Sequence, residues 1–301
     1  MAELAAQQNG GWPAPWRAPD LAGRLKLYFQ PPTSRWCVES GFLKSWEKLM
    51  AAAPNVTGRY AIVGRRSAAD ICVAPWGEQF ASGLGAVLKP LSRHDVETIV
   101  WDTGDRPTGR QSGFYCSLGR GLFDPARHCS ISYPVIFNEF IEQAPFEEAG
   151  LDFGFVGSMT AGVRRRLMQR FGPIAARLNA TMADADYVVP WQKFAHAAVD
   201  AKRTDADFIR RTRFVLCPRG QGVSSIRLFE VMKSGRVPVI ISDAFVPPAL
   251  QGRTGWTDAA IFVREHEIET IPAVVGEHLA SWETMAANAR RLWEGTSPTQ
   301  P

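Results

Sequence analysis

The 301-residue sequence has no run of 18 apolar residues, so it offers no candidate transmembrane helix. Met1 is followed by Ala-Glu rather than by a basic and then an apolar segment, so no secretory leader is expected. The five cysteines (Cys37, Cys72, Cys116, Cys129 and Cys217) show no CxxC spacing. An odd, scattered set argues against a disulfide framework and for a reducing compartment. Cys and His lack the familiar zinc-ligand spacings, so no metal is expected. These absences predict a cytoplasmic protein, with room for peripheral contact at a membrane surface. No block of five like charges occurs, and the formal net charge is only +4. That excludes the dense basic stripe of a nucleic-acid binder but suits an anionic small ligand. The longest basic run, Arg164-Arg165-Arg166, reads as the solvated face of a helix. No repeat of 20–50 residues is visible.

What the chain does have is alternation. Short apolar runs at 25–29, 69–74, 97–101, 134–137, 153–156, 213–217 and 237–241 read as strands. Helical patterns occupy 41–53, 162–171, 205–211, 224–234 and 267–292. The fold class is therefore α/β with parallel sheets. The length predicts two domains, 21–147 and 148–294, between loose tails at 1–20 and 295–301. The join is expected at 144–151, where Pro145, Glu147, Glu148 and Gly150 interrupt the apolar pattern. In 267–292, residues Ile268, Ile271, Val275, Leu279, Trp282, Met285 and Ala289 form a stripe that predicts one long core-packing helix.

Residues 212–243, TRFVLCPRGQGVSSIRLFEVMKSGRVPVIISD, carry the clearest chemistry. A buried strand at Phe214-Val215-Leu216-Cys217 runs into the loop Pro218-Arg219-Gly220-Gln221-Gly222, whose glycines let a ligand approach the backbone. Ser224 or Ser225 can cap the next helix, and Gly235 stops it. A helix N-terminus after such a loop suits a phosphate, and Arg219 and Arg227 add donors for a diphosphate. Ser224, Arg227 and Glu230 recur every third residue and share one helix face. Glu230 lies about 9 Å from the cap, a reach from a diphosphate to a ribose. The plainer alternative is an ordinary cap with Arg227 and Glu230 as a surface i,i+3 pair.

Gly220-x-Gly222-x-x-Ser225, with Asp243 about 20 residues on, also partly matches the dinucleotide fingerprint. Ser225 in place of the third glycine, the added Arg219 and the short remainder of chain count against an oxidoreductase. Asp184-Ala185-Asp186 and Asp205-Ala206-Asp207 spell DxD, but neither reads as following a buried strand, so both are taken as helix caps or openings.

The same segment resembles the exostosin family of glycosyltransferases. The resemblance rests on Phe214, Leu216, Pro218, Gly220, Ser225, Arg227, Glu230, Gly235, Pro238, Val239 and Asp243, in order and with the family's spacing around the loop. It extends to Ala69, Asp70, Val73 and Pro75, to Phe155-Val156-Gly157-Ser158 with Arg164 to Leu167, and to Trp256 through Val263; residues 80–130 match poorly. The resemblance implies two Rossmann-like domains in a GT-B arrangement, with the donor held by the C-terminal domain and the acceptor mostly by the N-terminal one. It implies an inverting, metal-independent hexosyl- or glycuronosyl-transferase that takes a nucleotide-diphosphate sugar, with UDP the expected nucleotide, to a glycan or other hydroxyl acceptor. No cofactor beyond the donor is expected. Arg219, Ser225, Arg227 and Glu230 carry over as donor-binding residues.

An inverting transferase needs a base for the acceptor hydroxyl. Glu78, Asp102 and Asp105 occupy expected strand ends in the N-terminal half, and the sequence does not choose among them. A non-catalytic nucleotide- or glycan-binding protein of the same fold is the alternative function, ahead of a dinucleotide-dependent oxidoreductase.

Overall fold

The computed structural model describes residues 25–29, 60–76, 97–133, 138–184, 196–248 and 254–296. The expected helix at 41–53, the expected strand at 134–137 and Glu78 lie outside them. The chain divides into two compact units. Unit 1 is 1–134 with 246–249 and 298–301, and unit 2 is 135–245 with 250–297.

Unit 1 holds a six-stranded sheet of β1 (Leu25–Phe29), β2 (Tyr60–Ile62), β3 (Ile71–Trp76), β4 (Glu97–Asp102), β5 (Gly113–Tyr115) and β6 (His128–Ser130). The order is β2-β1-β3-β4-β5-β6, and every pairing is parallel. Successive residues of β4 face opposite ways. Ile99 joins Val73 with Ile71, Trp101 and Phe114 on one face; Val100 joins Tyr115 and Leu118 on the other. Gly113 lies in register with Val100, and a Cβ there would meet the Val100 carbonyl oxygen at 2.1 Å and its nitrogen at 2.7 Å. Its φ of 158° is also one that L side chains rarely adopt, so space and backbone both demand the glycine. Gly113→Ala should cost about 3 kcal/mol, the upper range for overpacking. The check is the urea midpoint, and an unchanged midpoint would contradict the β4–β5 register.

Unit 2 holds five parallel strands: β7 (Leu151–Gly157), β8 (Ala180–Asp184), β9 (Thr212–Pro218), β10 (Val237–Ile241) and β11 (Ile261–Val263), in the order β11-β10-β9-β7-β8. Its helices are α1 (Gly162–Phe171), α2 (His196–Arg211), α3 (Ile226–Ser234), α4 (Ile271–His278) and α5 (Trp282–Thr296). All five residues of β10 are buried, as are Phe214 to Pro218 of β9. Strands covered on both faces read as continuous apolar runs, which is why the sequence places them well. Phe153, Phe155, Leu167, Phe171, Phe214, Val239, Ile271 and Met285 belong to one core.

Both units follow the doubly wound order 2-1-3-4-5, with a sixth strand added in unit 1. The order reverses between β1 and β3 in one and between β7 and β9 in the other. The α/β class expected from the alternation is thus present twice.

Several expectations need correction. The join expected at 144–151 falls inside unit 2. Ala144 donates its amide to Ser234, and the fully buried Arg236 donates to the Ala144 and Pro145 carbonyls, so this segment is tied to unit 2. The long helix at 267–292 is broken into α4 and α5 by a 3-10 turn at Leu279–Ser281, after a 3-10 start at Ile268–Thr270. Its stripe still faces the core across the break, so periodicity did not register it. Asp184 ends strand β8 rather than capping a helix, but as an exposed residue on an edge strand; Asp205 and Asp207 lie within α2.

Candidate functional site

In an open parallel sheet a ligand crevice forms beyond the carboxyl ends of the strands where the order reverses. In unit 2 that place is the end of β7 and β9, and the loop 219–224 with the start of α3 lies there. The sequence folds so because β9 is apolar up to Cys217, Pro218 ends it, and α3 opens at Ser225. Ser225 stands at the N-cap in extended conformation (φ −142°, ψ 131°), yet its hydroxyl makes no capping bond. Gly235, at φ 69°, closes α3 in the left-handed conformation and donates its amide to Met232 and Val231. Ser224 is buried beside the N-cap.

Gly220 does not have a positive φ, and a Cβ there would only make ordinary contact, with the Arg164 guanidinium at 3.4 Å. The fold itself does not require glycine at 220; a bare backbone there suits something brought in from outside.

Arg219, expected to meet phosphate, is engaged by Glu265, which follows β11; its Nη2 lies 3.2 Å from Glu265 Oε2. Glu265 in turn donates its amide to Asp243, and Arg219 donates its amide to Ile241. The loops after β9, β10 and β11 are thereby tied together, and a phosphate must compete with Glu265 for Arg219.

Arg227 departs further from expectation. Its Nη1 is 2.6 Å from Asp205 Oδ1, and its Nε is 3.5 Å from Glu230 Oε2. Asp205 and Glu230 are both buried. The i,i+3 pair exists, but not on a solvated face: two carboxylates share one guanidinium inside the unit. Burial pushes the Glu230 carboxyl up to about 7, with Arg227 opposing, Asp205 adding, and Lys233 and a backbone hydrogen bond with Asn138 opposing. Cys217, at the end of β9, feels the charges of Arg227, Glu230 and Arg164, while burial pushes its thiol up to about 12. The sequence missed Asp205 as a partner because it comes from α2, 22 residues upstream of Arg227.

Arg164 is the second residue missed. Arg165 and Arg166 are exposed, but Arg164 is half-buried. Its Nε donates to the Arg219 carbonyl (3.0 Å), its Nη1 to Ser158 (3.0 Å) and its Nη2 to Pro218 (3.2 Å). Its place in the first turn after the β7 loop was the available signal.

In unit 1, Asp102 ends β4 fully buried and accepts the Gly104 amide at 2.7 Å, a turn role. Asp105 is half-buried. Burial pushes the Tyr133 phenol well up, and the neighbouring Cys116, Asp105 and Asp102 add to the rise while a hydrogen bond with Ser117 opposes it. Asp102, Asp105, Cys116, Ser117 and Tyr133 therefore gather beyond the carboxyl ends of β4 to β6. Among the described residues no group of His, Cys, Asp and Glu is arranged as a metal site, and no helix is long and apolar enough to cross a membrane.

Residues 134–277, just under half of the chain, match the Exostosin GT47 domain. The Exostosin-1 homolog of Caenorhabditis elegans is 36% identical over 69 residues, 23% of this chain and 18% of that protein. Exostosin-1 of Drosophila melanogaster is 33% identical over 67 residues, 22% of this chain and 9% of that protein. The similarity thus spans less than a quarter of either relative. Among solved structures, Anabaena HepE in complex with UDP aligns at a TM-score of 0.37 with 9% identity, over 91% of this chain and 96% of that one.

Proposed function

We propose that the chain is an inverting, metal-independent glycosyltransferase in a GT-B arrangement, which moves a hexosyl or glycuronosyl group from a UDP-sugar to a glycan or other hydroxyl acceptor. One observation carries the reading: the loop at the β7/β9 reversal, with its unrequired glycine and the start of α3, lies in the span that matches the Exostosin GT47 domain. In this reading the diphosphate meets the Gly220 backbone, Ser224, Ser225 and the α3 amides, with Arg219 released from Glu265. Glu230 accepts from the ribose hydroxyls, and Arg227 favours its ionised form against the burial that raises its pKa. Asp105 is the preferred base, because Asp102 is fully buried and already occupied by Gly104. It takes the proton as the acceptor oxygen attacks the anomeric carbon and the bond to UDP breaks.

A thermal-shift panel tests the donor. UDP-sugar and UDP should raise the midpoint and NAD should not. Release of UDP in the presence of acceptor, unchanged by EDTA, separates a transferase from a mere binder. A pH series tests Glu230. Ribose hydroxyls donate to the ionised carboxylate, so affinity should rise with pH through about 7. A UDP-sugar should bind roughly tenfold more weakly at pH 6 than at pH 8. It is the better probe because the terminal phosphate of UDP itself titrates nearby. A flat profile would remove Glu230 from the ribose.

A further inference from the structure

The pairing of β7 with β9 runs from Leu151–Thr212 to Gly154–Val215, and beyond it the two strands part. The Arg164 guanidinium sits where they part. It reaches the Ser158 carbonyl just after β7 and the Pro218 and Arg219 carbonyls at the end of β9. On the other side of β9 the Arg219 amide donates to Ile241 of β10 at 3.0 Å. The peptide between Pro218 and Arg219 is thus held from both sides, its carbonyl by Arg164 and its amide by β10. Among the described residues, the next peptide is held by its carbonyl alone. In a trans peptide the N–H points opposite to the C=O, so fixing the Arg219 carbonyl fixes the direction of the Gly220 amide.

We propose that Arg164 is a positioning residue of the donor site: by holding three main-chain carbonyls across the gap between β7 and β9, it sets the Gly220 amide and the 218–220 loop for the donor's diphosphate. The proposal rests on the donor reading above. Lysine in its place keeps the charge but offers one compact ammonium where a planar fork served three acceptors. A merely structural role would affect folding or all ligands alike; a positioning role affects the phosphate end selectively.

The test compares wild type with Arg164→Lys in two measurements. Without ligand, hydrogen exchange at the Gly220 and Gln221 amides should be faster in the variant, while amides of β10 keep their protection. With ligand, UDP affinity should fall about tenfold, the size of one charge-assisted contact, and uridine affinity should stay within twofold. Unchanged exchange overturns the loop-holding claim whatever the ligand does. Faster exchange with equal losses for uridine and UDP, or with no loss, overturns the link to the diphosphate. If the wild type binds neither UDP nor a UDP-sugar, the donor reading fails instead, and the exchange result still judges the clamp. Arg164→Gln provides the same comparison if the lysine variant does not fold.

Discussion

Arg227→Ala should destabilise the protein by about 3–5 kcal/mol at pH 8, the range for breaking a buried ion pair by removing one partner. The loss should be much smaller at pH 5.5. Arg227 is the shared counter-charge of Asp205 and Glu230, and both are buried. Without it, two carboxylates stay in the interior facing each other, and the folded-state pKa of Glu230 rises further above the unfolded one. Between the unfolded and the folded pKa the native state then holds more protons, and stability falls as pH rises through that window. Glu230, at about 7 in the intact protein, already shows this direction. Urea denaturation at the two pH values measures the effect, and equal losses at both would mean the carboxylates are solvated. Asp205→Leu combined with Arg227→Met should lose less than Arg227→Met alone, because one buried carboxylate, Glu230, rather than two is then left without its counter-charge. Acting through Glu230, Arg227→Ala should weaken uridine as well as UDP.

Arg236→Met should be comparably costly, about 3–5 kcal/mol, because several buried acceptors lose their donor at once. Arg236 is fully buried, and among the described residues it has no carboxylate within ion-pair distance. Its Nε and Nη2 donate to the Arg210 carbonyl at 3.0 and 2.7 Å, its Nη1 to Ala144 and Gly235 at 3.1 Å, and its Nη2 to Pro145 at 2.6 Å. Trp282 lies against it, 5.8 Å from ring centre to guanidinium carbon. Burial lowers its pKa to about 10, still well above neutrality, so the charge persists. Methionine fills much of the volume but donates nothing. A fall in the urea midpoint, with amides of 138–150 losing exchange protection ahead of β9 and β10, is the expected pattern. Protection unchanged across 138–150 would show that Arg236 does not anchor that segment.

The β9–loop–α3–β10 segment was legible in the sequence for physical reasons. Strands covered on both faces leave apolar runs, and Gly235 marks a left-handed stop that few other residues adopt. Strands β5 and β6 were not legible. At three residues each, GFY and HCS, they are too short to show a period of two. The ligand-facing helix face was also only half legible. The spacing of Ser224, Arg227 and Glu230 is local and readable, whereas Asp205 reaches them through tertiary packing. The roles of Arg236, and of Arg164 despite its place just after β7, went unread for a different reason. Sequence reading pairs a cation with a carboxylate, and these two bind carbonyls, which every residue carries.

Arg164 and Arg236 bind main-chain oxygens of residues 144, 145, 158, 210, 218, 219 and 235. Side chains at those places do not take part in the clamps, so most exchanges there leave the clamps intact as long as the backbone path is kept. Two arginines can thus hold the scaffold of a site constant while the surface around it drifts, and related chains can share the loop geometry with little identity in the segments that arginine secures.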